Sequence, residues 1–245
     1  MTLPAVLDLR SAARRALPDV SAHPRSLFAQ AILTWRARML NEYASSEVFA
    51  ALSQQLRGAG FDPDWIAECA SFAEEERRHG VLCASVVEAL GGEAKAALPP
   101  RADFPLHADA PPRAAALRNL VHICCMSETV AVALIGAERL DMPEGPLRDL
   151  LSTIYADEVG HARFGWRLLE RYASELTANE RAAVDRYLPT AFAHLQAHEL
   201  AHLPDCEAPE NGAGLGLCSG RAARVLFAET VDEVIRPGLR RYFTC

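Results

Sequence analysis

The chain has 245 residues, half of them hydrophobic, with 32 acidic and 25 basic side chains and a net charge of −7. That length supports one large domain with its own core. The acidic balance, with no basic run, removes the electrostatic footprint of nucleic-acid or anionic-membrane binding.

Residues 1–25 read as an N-terminal extension. Asp8, Arg10, Arg14, Arg15 and Asp19 break up its short apolar pieces, so it lacks the core of a signal peptide. No uninterrupted apolar run reaches the ~18 residues that span a bilayer. The expectation is a cytoplasmic protein with no membrane partner. Alanine and leucine abound while β-branched and aromatic residues are modest, which predicts an all-α fold.

A single helical domain is predicted over 26–245. Its first helix runs from Ser26 to about Gly58 and its second from Asp62-Pro63 to Leu90, with Gly91-Gly92 as the stop. The short join makes them antiparallel neighbours. The stretch Gly91–Pro112, with five prolines, cannot be regular helix and reads as a long crossover between helices 2 and 3. The third helix spans about Arg113–Leu140, and the fourth runs from the Asp141-Met142-Pro143 turn to about Leu176. These four would form a bundle over 26–176. Two additional C-terminal helices occupy 177–237: one opened by a Thr177/Glu180 capping box and ending near Leu203, one over about Arg221–Ile235 that stops at Pro237-Gly238.

Two Glu-x-x-His words stand mid-way along predicted helices: Glu76-Arg77-Arg78-His79 and Glu158-Val159-Gly160-His161. Residues three apart share a helix face, so each word aims a carboxylate and an imidazole the same way. Glu47 precedes Glu76 by 29 residues and Glu128 precedes Glu158 by 30, which would place four carboxylates at one level. Glu128 lies in the apolar run Val121–Val132, where a bare carboxylate is expensive without a cation. Four helices offering Glu, Glu-x-x-His, Glu and Glu-x-x-His match the ligands of a carboxylate-bridged dinuclear site. Mixed oxygen and nitrogen donors suit iron or manganese better than magnesium. The candidate metal ligands, and with them the catalytic residues, are Glu47, Glu76, His79, Glu128, Glu158 and His161.

This arrangement resembles the ferritin-like di-iron carboxylate superfamily, which includes bacterioferritin, rubrerythrin, the ribonucleotide reductase small subunit, fatty-acyl desaturases and bacterial multicomponent monooxygenases. The resemblance covers roughly Ser26 to Leu176. It implies Glu47, Glu76 and His79 for one half-site and Glu128, Glu158 and His161 for the other, with Glu76 and Glu158 as bridges. It implies that Glu75 and Asp157 hydrogen-bond the histidine of the opposite word and fix its tautomer. His161 argues against plain ferritin. The arylamine N-oxygenase branch carries a third histidine where this chain has Ile154.

The implied cofactor is two Fe ions, with Mn or a mixed pair as alternatives. The implied function is a non-haem dinuclear iron oxidoreductase that activates dioxygen or peroxide to oxidise a small or carrier-bound organic substrate. The alternative is ferroxidase or peroxide-scavenging iron handling of the bacterioferritin or rubrerythrin type. No nucleotide-binding glycine motif is present, so electrons would come from an external donor. A monomer or homodimer is expected.

Cys83 and Cys124, each one turn from a candidate ligand, could face the metals, as could Tyr43 and Tyr155; packing in the core is the plainer role for all four. Gly80 and Gly160 flank the two histidines and mark either close helix approach or room above the metals. His194, His198 and His202 recur every four residues on the fifth helix and line one face, with Glu199 as a partner; a second metal site is the other reading. The seven cysteines are odd in number and irregularly spaced, without Cys-x-x-Cys. This argues for reduced thiols rather than a disulfide framework or structural zinc.

Overall fold

The computed structural model describes residues 5–100 and 103–244, so Met1–Pro4, Arg101, Ala102 and Cys245 lie outside the described residues. The chain is predominantly helical. Helix α2 (Phe28–Gly58) follows a 3-10 turn at Arg25–Leu27 and ends where Gly60 takes a left-handed φ of 77°. There Phe61 N–H closes onto the Leu56 carbonyl at 3.2 Å, as in a Schellman cap. Residues 59–62 fold α3 (Pro63–Ala89) back along α2. Asp62 does not cap α3 with its side chain; its carboxylate accepts the Tyr172 hydroxyl at 2.8 Å and ties this turn to a later helix.

The stretch read as an extension supplies strand β1 (Val6–Asp8) and the short α1 (Arg10–Ala13), which packs on α3. β1 pairs antiparallel with β2 (Lys95–Ala97), in the register Val6↔Ala97, Leu7↔Ala96 and Asp8↔Lys95. The proline-rich connection after α3 thus begins with a strand rather than with loop throughout.

Helical structure then runs without a break from Pro112 to Asp141, but not as one α-helix. α4 (Pro112–Leu120) passes into a π-helical segment, Val121–Ser127, before α5 (Glu128–Asp141) resumes the α ladder. By length and mean hydropathy this stretch is apolar enough to cross a membrane, at 1.8 over its best window. Ser127, Glu128 and Thr129 interrupt it, so its apolar residues do not form one uninterrupted run. In this fold the stretch carries buried Arg118 and Glu128 and packs against later helices.

A second four-residue turn, 142–145, leads to α6 (Pro146–Ala173), which returns along α5 and the π segment. α7 (Ala178–His202) opens with the Thr177/Glu180 capping box: Glu180 N–H donates to Thr177 Oγ1 at 3.2 Å and Thr177 N–H to Glu180 Oε2 at 2.9 Å. α7 packs on α4, and α8 (Gly220–Thr230) packs on α5. The last helix does not stop at Pro237-Gly238. A π turn, Val231–Ile235, changes the ladder and α9 (Arg236–Arg240) continues, with Pro237 in its first turn.

The apolar interior comes in two blocks. One holds Phe49, Phe72, Leu117, Phe164 and Leu168; the other holds Trp35, Met39, Cys83, Leu151 and Ile154. Along α2, α3 and α6 alike, the chain leaves one block and enters the other, and charged side chains sit at the boundary. Among the described residues Cys69, Cys83, Cys124 and Cys125 are buried free thiols, while Cys206 and Cys218 are exposed free thiols.

Candidate metal centre

The buried face of α2 runs Ala31, Trp35, Met39, Glu42, Ser46, Phe49, Leu52 and Leu56, in steps of three and four. Glu42 is the acidic member of that row, and it lies at the boundary between the two apolar blocks. α3 brings Glu76 and His79 to the same level, α5 brings Glu128 as its first residue, and α6 brings Glu158 and His161. All six are buried.

They form two overlapping groups. Glu42, Glu76, His79 and Glu158 make one; Glu76, Glu128, Glu158 and His161 make the other. Within each, one ligand atom per residue lies within 4.8 Å of all the rest, so each group could hold a metal ion. Glu76 and Glu158 belong to both. His79 turns Nδ1 toward Glu158 (3.4 Å), Glu42 (3.7 Å) and Glu76 (3.9 Å). His161 turns Nδ1 toward Glu76 (3.1 Å), Glu158 (3.2 Å) and Glu128 (3.9 Å).

The outward nitrogens are held as a crossed pair. His79 Nε2 lies 3.0 Å from Asp157 Oδ2 on α6, and His161 Nε2 lies 2.9 Å from Glu75 Oε2 on α3. An ionised carboxylate only accepts, so each Nε2 is a donor, and each Nδ1 faces the centre with a lone pair for a cation once its own proton leaves. Arg78 reaches both outer acids, 3.8 Å from Glu75 and 3.7 Å from Asp157, and partly offsets their charge at the surface. Phe49 and Phe72 pack on the His161 ring, with centroids at 5.1 and 4.5 Å, and shut water out on that side.

The electrostatics are those of acids crowded in a dry space. Burial, then Glu158 and Glu42, push Glu76 well above the ordinary carboxylate range; burial, then Glu158, do the same to Glu128. Burial also works against the Glu158 carboxylate, but hydrogen bonds from His161 and His79 outweigh it and hold Glu158 low. Burial disfavours charge on the two imidazoles. Their contacts with Glu158 outweigh it, with Glu42 adding to His79 and Glu128 to His161, so His79 rises to about 11 and His161 to about 9.

The residues fit a pair of cations on two further counts. Glu76 Oε2 and His79 Nδ1 are buried without a hydrogen-bond partner, at the positions where ligand atoms are needed. The four carboxylates of the two groups balance two divalent cations in charge.

Glu47 is not part of this set. It is half exposed on α2, 3.9 Å from Arg77, and Glu42 takes the place expected for it. Five residues turn roughly 140° around a helix, so the two carboxylates cannot share a face. The matched spacing pointed to the wrong glutamate; the three-and-four rhythm through Trp35, Met39, Ser46 and Phe49 was the signal that singles out Glu42.

The π segment places Glu128. Each π turn takes in one more residue than an α turn, which re-aims the side chains that follow, and such segments concentrate at functional sites. The Ser127 hydroxyl donates to the His122 carbonyl five residues back, at 3.2 Å.

The remaining candidates scatter. Burial, then the nearby Glu42 carboxylate, push the Cys83 thiol well above its usual value. Cys124 faces α6 at Gly165, where an added Cβ would come within 2.5 Å of Cys124 Cβ; this close approach requires the glycine. Tyr43 packs against the Trp35–Met39 block, and Tyr155 lies over Gly136 of α5 with Arg139 5.1 Å from its ring. A Cβ at Gly80 would meet Met39 and Glu42 of α2 at ordinary contact distance, and one at Gly160 would meet open space, so close approach requires neither glycine. Two grooves, of about 590 and 490 Å³, lie between α7 and the C-terminal helices and beside Leu17–Val20; neither is lined by any of these residues or by the six. His122 is half buried beside His194, and burial with His194 and His198 lowers it to about 4.

Compared with protein-family models, with curated proteins and with solved structures, the chain matches none.

Proposed function

We propose that Glu42, Glu76, His79, Glu128, Glu158 and His161 hold two transition-metal ions, and that the protein is a non-haem dinuclear iron oxidoreductase. The observation that carries this reading is the overlap of two four-residue groups through Glu76 and Glu158, with each imidazole fixed from behind by an acid of the opposite helix. The reading keeps the resemblance to the ferritin-like superfamily and its four-helix bundle, with Glu42 in the role first given to Glu47. Iron bound there supplies activation of dioxygen or peroxide for oxidation of a small or carrier-bound organic substrate.

The chain's own residues do the rest. Glu76 and Glu158 span the two positions, while Glu42 and Glu128 each close one end. Asp157 and Glu75 keep the Nδ1 lone pairs turned inward and link the buried imidazoles to solvent through their partly exposed carboxylates. Phe49, Phe72 and Phe164 keep the interior dry on the His161 side. An external donor supplies electrons.

Elemental analysis of protein purified without added metal tests the site: about two ions per chain are expected under the di-metal architecture, and a metal-free chain that also refuses Fe(II) under anaerobic loading sinks the reading. Sedimentation separates the oxidoreductase from the iron-handling alternative. A monomer or dimer is expected, and a large closed shell would favour storage.

A further inference from the structure

A second group of imidazoles lies away from the carboxylate cluster. α7 carries His194, His198 and His202 at intervals of one turn, all exposed on one face. The segment His198-Glu199-Leu200-Ala201-His202 places two histidines four apart on a helix, the spacing that lets both rings reach one zinc ion. The His198 and His202 rings are already neighbours, with centroids 4.4 Å apart.

His202 Nδ1 lies 2.8 Å from the His198 carbonyl. A carbonyl only accepts, so Nδ1 carries the proton and the Nε2 lone pair of His202 is left for a cation. At the other end of the row His194 meets His122 of the π segment, ring to ring at 5.7 Å. His122 Nδ1 is buried without a hydrogen-bond partner. As placed, the rings do not converge on one point. The three on α7 are solvent-exposed and can rotate about their side-chain bonds.

We infer that His198 and His202, one turn apart at the outer end of the α7 histidine row, bind a late first-row divalent cation of the zinc class. Paired imidazole nitrogens favour such ions over the harder, oxygen-preferring ones, and the neighbouring Glu199 carboxylate adds negative charge beside them. The site is independent of the di-iron reading, because it shares no residue with the cluster.

Zinc is titrated near neutral pH, against a chromophoric chelator, into the wild-type protein and into a His198→Gln/His202→Gln variant. The wild type should take up one more equivalent than the variant. Both chains keep all six cluster residues, so any failure of the cluster to bind metal cancels in the difference. Equal uptake overturns the inference. Should the variant melt early, the wild type is read alone: sub-stoichiometric Cu²⁺ should broaden the NMR ring signals of His198 and His202 together, and sharp signals for that pair overturn it.

Discussion

The two halves of the cluster are alike at their histidines and unlike at their end carboxylates. On α3 and α6 the same word, acid-Glu-x-x-His, sets both a glutamate common to the two groups and a histidine, and reaches across to hold the other histidine. The end carboxylates have no such template. Glu42 comes from the middle of an unbroken α2, 34 residues before Glu76, while Glu128 follows a π segment, 30 residues before Glu158. Local helical geometry fixes what lies three residues apart. The phase of a whole helix against its neighbour depends on turn geometry and on any break in the ladder between.

This contrast ranks the substitutions. Glu76→Ala or Glu158→Ala should do the most damage, because each removes an oxygen donor from both groups; metal content by elemental analysis should fall from about two ions to none. Retention of one ion by either variant would show that the two positions do not share a bridge. Glu42→Ala and Glu128→Ala should each empty one position and spare the other. If Glu128→Ala emptied both, the π-delivered half would be the one on which the other depends.

The crossed acids come next. Asp157→Asn and Glu75→Gln keep size but weaken the hold on the imidazoles, and each should lower metal affinity about 10- to 100-fold. Because the pairs are crossed, Asp157→Asn should weaken the half containing His79 and Glu75→Gln the half containing His161. A competition titration with each variant reads this directly. An equal effect of both on both halves would deny the crossing.

Protons and metal compete for the same atoms. Glu76 and Glu128 have pKa values raised by burial, and His79 and His161 are raised to about 11 and about 9 by their carboxylate partners. A raised imidazole contributes stability that is whole below its unfolded value near 6.5 and is lost as pH climbs through the folded value. A carboxylate raised by burial likewise disfavours the fold as it ionises. All four act in one direction, so the metal-free protein should lose stability as pH rises from about 6.5 toward 9 and beyond. Metal affinity should rise over the same range, since binding releases protons. Urea melts of metal-free protein across that window, and calorimetry in two buffers of unlike ionisation enthalpy, measure both.

Much of this was legible in the chain. The Glu-x-x-His words carry their own geometry; α3 has a clear start at Pro63 and stop at Gly91, and the Thr177 box that opens α7 bounds α6 from beyond. What escaped notice depends on the ladder or on long-range contact. The π segment has no sequence cue beyond the apolar run that hides it. The β1–β2 pairing joins residues about 90 apart, and no local pattern announces it. The last helix passes Pro237 just after a π turn has changed the ladder. Glu42 is legible in the three-and-four rhythm of the buried face of α2, whereas equal spacing between the two hairpins points to Glu47, because spacing along the chain does not carry helix phase.

The smallest expected effect is the sharpest check on that last point. Glu47→Ala removes a half-exposed carboxylate whose nearby cation, Arg77, lies 3.9 Å away and is itself closer to Glu74. An exposed pair at that distance contributes at most about 1 kcal/mol, and exposed helix positions tolerate alanine. Metal content, affinity and melting temperature should therefore match the wild type, while Glu42→Ala, five residues away on the same helix, should lose an ion. The pair of variants separates phase from proximity: the substituted positions are close in sequence and both acidic, and differ chiefly in which side of α2 they occupy. If Glu47→Ala were the one to lose metal, α2 would have to sit rotated by more than a third of a turn, and Trp35, Met39 and Phe49 could not all remain buried.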